Sequence, residues 1–188
     1  MYEKLKFRLR GAAPLLMHNI RLANPLDDVV KELKKVTKKR TKTDDDHAEI
    51  MRLEWLGGLY LDDQQRPIVP GEHIEAALIE AAKKSKRGKD AKSSIFCYGD
   101  SVIEFKGPTN IDGLWADGSS QDTRAVRVQS ARPMRTRPIF RNWEIETEVS
   151  FLPQQINAEE IRDWMAIAGQ LVGLMDYRPR FGRFEVIV

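Results

Sequence analysis

The chain has 188 residues, 41% hydrophobic and 31% charged, which is enough for one domain with a substantial core. Its one cysteine, Cys97, excludes an internal disulfide and a multi-cysteine zinc site, and suits a reducing cytoplasm. The net charge is only +3, but basic residues gather in 31–42, 83–92, 124–141 and the C-terminal "DYRPRFGRF", a distribution that points to one basic face.

The N-terminal "YEKLKFRLRG" alternates, with Leu5, Phe7 and Leu9 on one face and Lys4, Lys6, Arg8 and Arg10 on the other, and predicts a strand. It lacks the apolar core of a signal peptide, and the chain has no apolar run near the ~18 residues of a membrane span, so a cytoplasmic protein without membrane contact is expected. "LDDVVKELKKVTKK" (26–39) predicts a helix, and Thr43 or Asp44 is placed to cap a second, "DDHAEIMRLEWL", which Gly57-Gly58 ends. "LYLDDQQRPIVP" predicts a hairpin, and "GEHIEAALIEAAKKSK" a helix with Glu72 and Glu75 in its first turn and Lys83, Lys84 and Lys86 in its last.

A short strand is expected at Val102–Phe105, while Pro133 and Pro138 argue against a regular central strand in 124–141. "NWEIETEVSFL" alternates Trp143, Ile145, Thr147, Val149 and Phe151 with Glu144, Glu146, Glu148 and Ser150. "NAEEIRDWMAIAGQLVG" is an amphipathic helix that Asn157 and Glu160 can cap. With "RFEVIV" as the last strand, the core order is βαββαβ: an α+β, ferredoxin-like, RRM-like palm with two helices on one face of an antiparallel sheet. Segment 11–58 is too long for a plain connection and is expected to be a partly helical insertion, or thumb, in a single domain spanning 1–188 with a loop-rich segment at 106–141.

Two basic stretches carry the functional signal. In "DYRPRFGRF", Arg178, Arg180 and Arg183 offer planar, bidentate donors that suit phosphate. Gly182 permits close backbone approach or a positive φ, and Tyr177 and Phe181 offer faces for a base to stack on. The same residues also suit a helix-to-strand connection in which Phe181 and Phe184 enter the core and the arginines pair with Asp176 and Glu185. From Arg124 to Arg141 the chain has six arginines and no acidic residue; Arg132, Arg135 and Arg137 would line a groove along an extended, proline-stiffened segment. Lys38, Lys39 and Arg40 would belong to a mobile basic arm (31–42), and Glu144, Glu146 and Glu148 would meet the basic segment of a neighbouring copy.

"TDDDHAE" holds hard ligands for a magnesium-type ion in Asp44, Asp45, Asp46 and His47, but carboxylates also collect at helix N-termini to meet the dipole. His18 and His73 are isolated, and neither a P-loop nor a dinucleotide-binding glycine motif is present. No catalytic residue, metal ligand or cofactor is assigned.

"RPIVPGEHIEAALIEAA" and "GLMDYRPRFGRFEV" together resemble the helix start and the glycine-rich loop with last strand of the RAMP superfamily, the ferredoxin-like proteins of CRISPR effector complexes. The resemblance covers roughly 1–10, 66–86 and 143–188, and is closest in layout to the backbone subunit that polymerises along guide RNA. The chain departs from that pattern in Glu72, Glu75 and Glu80, in having fewer loop glycines, and in its small size; a stand-alone phage or mobile-element relative fits the same residues.

The resemblance implies sequence-independent binding of single-stranded nucleic acid, RNA rather than DNA, by a homo-oligomer or filament, or alongside other effector subunits. A metal-dependent endoribonuclease using Asp44–Asp46, and a structural or viral assembly protein with acidic partners, are the alternatives.

Overall fold

The computed structural model describes residues 1–126 and 132–187. In chain order the first elements are β1 (Glu3–Gly11), β2 (Leu15–Leu16), α1 (Asp28–Thr37), α2 (Asp44–Gly58), β3 (Ile68–Val69), α3 (Gly71–Ala82) and α4 (Gly88–Ser94). They are followed by β4 (Ile95–Phe96), β5 (Ser101–Val102), α5 (Ile111–Asp117), β6 (Gln121–Ala125), β7 (Met134–Phe140), β8 (Glu144–Phe151), α6 (Ala158–Ile167) and β9 (Phe184–Val186). These divide into two compact units: Met1–Leu15, Leu61–Lys106 and Phe140–Val188 form the first, and Leu16–Tyr60 with Gly107–Ile139 the second.

The first unit is built on a four-stranded antiparallel sheet in the order β4-β8-β1-β9. Its register sets Leu5 opposite Val149, Phe7 opposite Thr147 and Leu9 opposite Ile145, so the apolar side of β1 meets the apolar side of β8. On the other side of β1, Leu9 faces Val186 and Gly11 faces Phe184. Counting only these core strands, the order is 2-3-1-4, with α3 after the first and α6 after the third. That is the ferredoxin-like βαββαβ arrangement expected from the sequence. α3 buries Ile74, Ala77, Leu78 and Ala81, and α6 buries Ile161, Trp164 and Met165. Each of the larger of these side chains contributes roughly 1.5–3 kcal/mol of apolar burial. Asn157 and Glu160 form the reciprocal capping box that starts α6, worth about 1 kcal/mol.

One strand differs from expectation. The second core strand is β4, where Ile95 pairs with Phe151, not Val102–Phe105. β5 leaves the sheet to pair with β3, the strand that follows the Asp62–Arg66 turn of the expected hairpin.

In the second unit, Thr43 caps α2 through a box with Asp46, and Asp27 caps α1. The Trp55 indole donates to the Ser120 carbonyl at 2.9 Å and packs against Trp115 at 5.3 Å between ring centres. The sheet order here is β2-β7-β6, so β7 is a central strand although it contains Pro138. Pro138 lies opposite Gln121 while Ile139 N–H donates to Ser120, which turns the proline nitrogen away from β6. On its other side the Pro138 carbonyl accepts from Met17, so no ladder bond with β6 needs the missing N–H. The expected mobile basic arm is likewise a folded element: Lys31 and Lys35 lie in α1, where they pair with Asp28 and Glu32. Among the described residues, no helix is long and apolar enough to cross a membrane.

Candidate nucleic-acid interface

The C-terminal loop is shaped by backbone packing. After α6 the helix widens into one π-turn, Ala168–Val172, and the chain then enters the loop with Gly173, Met175 and Tyr177 at positive φ. Gly182, at φ +73°, is buried, and a Cβ there would lie 1.9 Å from the Leu174 carbonyl oxygen. Leu174 N–H donates to Gly182 and Gly182 N–H donates to Pro14, at 2.9 and 2.8 Å. The Arg183 carbonyl accepts from both Ala12 and Ala13. The close approach that Gly182 makes is therefore to the protein's own backbone.

This framework sorts the side chains. Phe181 and Phe184 are buried, whereas Tyr177, Arg178, Arg180 and Arg183 are exposed. Of the two aromatic faces proposed for stacking, Tyr177 alone is open to solvent, and its ring leans on Phe181 at 5.8 Å. Among the described residues, no salt bridge involves Arg178, Arg180 or Arg183.

The loop presents these cations to two concavities. Arg180 and Arg183 line a groove of about 760 Å³ whose walls include Ala12, Pro14, Leu171 and Phe181. Arg178 faces a separate one of about 870 Å³, where it joins Lys83, Lys86, Lys89 and Lys92. The lysines belong to the 83–92 run that the sequence marks as basic, and their three-residue spacing is the signal that sets them on one side.

The open face of the sheet carries as much charge but in a different state. Arg8 contacts Glu144 and Glu104 at 3.0 Å and Glu146 at 3.3 Å, Arg10 contacts Glu144 at 2.7 Å, and Lys4 contacts Glu148 at 2.7 Å. Hydrogen bonds from Arg10 and Arg8 hold the Glu144 carboxyl below the usual glutamate range, and Lys4 does the same for Glu148. The glutamates of β8 thus find partners on β1 of the same chain.

The second unit holds the remaining candidates. Glu54, buried on α2, accepts from Arg135 at 2.6 Å and from the Thr136 N–H at 3.0 Å, so Arg135 is tied into the fold. Arg135 and Arg137 border a cavity of about 790 Å³ with His18, Val30 and Leu33, and Arg132 is exposed. Arg127 lies outside the described residues. Lys38 ends α1, Lys39 pairs with Asp46 at 2.5 Å, and Arg40 is exposed. The carboxylate of Asp46 is occupied by Lys39 and the Thr43 N–H, and the Lys39 hydrogen bond leads in lowering its proton affinity. Asp44 and Asp45 share that first helical turn, and among the described residues no group of three or more His, Cys, Asp or Glu side chains converges to hold a metal.

No protein-family model and no curated protein matches this sequence. Among solved structures, the chain is similar to Cmr6 from Pyrococcus furiosus, with 7% sequence identity, a TM-score of 0.45 and 99% of each chain covered. The fold assignment rests on the strand order itself.

Proposed function

We propose that the protein binds single-stranded nucleic acid, RNA in the first instance, without regard to base sequence, through its C-terminal loop. The observation that carries this reading is the state of Arg178, Arg180 and Arg183: exposed, on a loop fixed by its backbone, and in no salt bridge among the described residues. Guanidinium groups left unneutralised on a fixed scaffold suit phosphate oxygens. The apolar walls beside Arg180 and Arg183 suit sugars and base faces, surfaces that every nucleotide shares. RNA in preference to DNA, and assembly side by side along the strand or with effector-complex subunits, come from the RAMP resemblance of "GLMDYRPRFGRFEV".

Fluorescence anisotropy with labelled single strands tests the reading. Binding should weaken as salt rises, with a log–log slope of about −2 from three phosphate contacts at ~0.7 each. An Arg178→Ala/Arg180→Ala/Arg183→Ala variant should lose that slope while staying folded. Undetectable binding at low salt, or a folded triple variant that binds like wild type, overturns the loop's role. Competition by unlabelled RNA and DNA decides the nucleic acid, and size exclusion with and without oligonucleotide decides assembly.

A further inference from the structure

The concavity that Arg178 faces is lined by side chains from three consecutive pieces of backbone. Lys83 stands at the C-terminal cap of α3, Lys86 closes the 3-10 turn that follows, and Lys89 and Lys92 sit one turn apart on the same side of α4. Five cations and a single carboxylate, Glu80, line it. Glu80 is already bonded to Lys83 at 2.6 Å and also feels the charge of Arg178, which leaves Lys86, Lys89 and Lys92 around the hollow with no salt bridge among the described residues.

The corner has been arranged to tolerate this. Arg87, in the middle of the run, turns away from the lysines and clamps the structure through Asp90 at 2.5 Å, Glu160 at 2.7 Å and the Gln155 carbonyl at 2.7 Å. Gly88 leaves room for the stem of Lys83, since a Cβ there would lie 2.6 Å from Lys83 Cγ. Lys86 adopts φ +61°, a left-handed cap position that glycine fills most easily. A lysine at that position, lining the same hollow as Lys83, Lys89, Lys92 and Arg178, concentrates positive potential there that an anion would relieve.

We infer that this lysine cradle is a second phosphate-binding segment for the same strand. It rests on the proposed function and extends it: the backbone leaving the Arg180–Arg183 groove passes Arg178 and runs over Lys86, Lys89 and Lys92. The division of residue types fits the two tasks. Arginine forks fix phosphates at the loop, whereas lysine point charges hold a passing backbone without demanding one geometry.

The experiment is a salt titration of binding with two uridine oligoribonucleotides, about 5 and about 15 nucleotides long, which bracket the footprint of small single-strand binders. For wild type the longer oligomer should show the steeper slope. In Lys86→Gln/Lys89→Gln/Lys92→Gln, the slope on the longer oligomer should fall by about 2, three contacts at ~0.7 each, while the shorter oligomer binds as before. Lys86→Gly alone should lower it by about 0.7 with no loss of Tm, because glycine suits the backbone there. A triple variant with an unchanged slope on the longer oligomer overturns the cradle and leaves the loop standing. Wild type that binds neither oligomer overturns both. Loss of a labelled poly-glutamate peptide by the triple variant, with RNA binding unaltered, overturns the cradle in favour of an acidic protein partner.

Discussion

Two stretches of this chain, "RLR" at 8–10 and "RPR" at 178–180, are nearly identical in composition and opposite in situation. On β1, strand register sets Arg8 and Arg10 against Glu146 and Glu144, and each guanidinium finds a carboxylate. On the C-terminal loop, Arg178 and Arg180 point to different concavities, and neither joins a salt bridge among the described residues. Charge counted along the sequence treats the two alike. Only the pairing state separates arginines that complete a surface from those open to an outside anion.

That contrast can be broken most forcefully at the loop's scaffold. Gly182→Ala places a methyl group on the Leu174 carbonyl at a backbone angle alanine resists, and should cost about 3 kcal/mol in urea unfolding. Oligonucleotide binding should fall with it although no cation is removed.

Next in size is a paired arginine of the second unit. Glu54→Gln deprives Arg135 and the Thr136 N–H of a buried carboxylate and should cost about 2 kcal/mol. If that variant is as stable as wild type, pairing does not mark arginines that serve the fold.

The smallest effect sharpens the comparison itself. Arg8→Ala should lower Tm, more at low salt than at high, and leave the salt slope of binding unchanged. Its pH dependence follows from Glu144 and Glu148, whose folded-state proton affinities are depressed by Arg10, Arg8 and Lys4. The unfolded chain takes up those protons first as pH falls, so the stabilisation is present above the ordinary glutamate value of about 4.3 and is lost on descending through the lower, folded value. Arg8→Ala should flatten this acid-side decline in thermal melts between neutral pH and pH ~2.

Much of the fold was legible because its signals are local. The alternation of β1 and β8, the Asn157–Glu160 box, the Thr43 cap and the stripe of α6 each sit within a few residues. What escaped depends on partners distant in the sequence. Pro138 is admissible in a central strand because Ile139, not residue 138, bonds β6, and nothing near the proline announces that. Ile95–Phe96 became the second core strand because β8 supplies its partner, while Ser101–Val102 was drawn to β3. At the site, the loop was visible as a cluster of arginines, glycine and aromatics. Whether Phe181 would face solvent or enter the core was open in the sequence; its burial, and the place of Leu174 above Gly182, required the packed chain.

The backbone bonds that tie the loop at Pro14, Leu174 and Arg183 also bear on speed. A ligand that meets a surface already in its final shape has little segment ordering to wait for, so encounter rather than rearrangement limits capture. With arginines exposed on such a surface, the association rate should exceed the ~10⁵–10⁶ M⁻¹s⁻¹ of uncharged docking and should drop steeply with ionic strength. Residence on the strand would then be governed by how quickly individual contacts let go, which suits a protein that must seat rapidly and remain able to shift along its track.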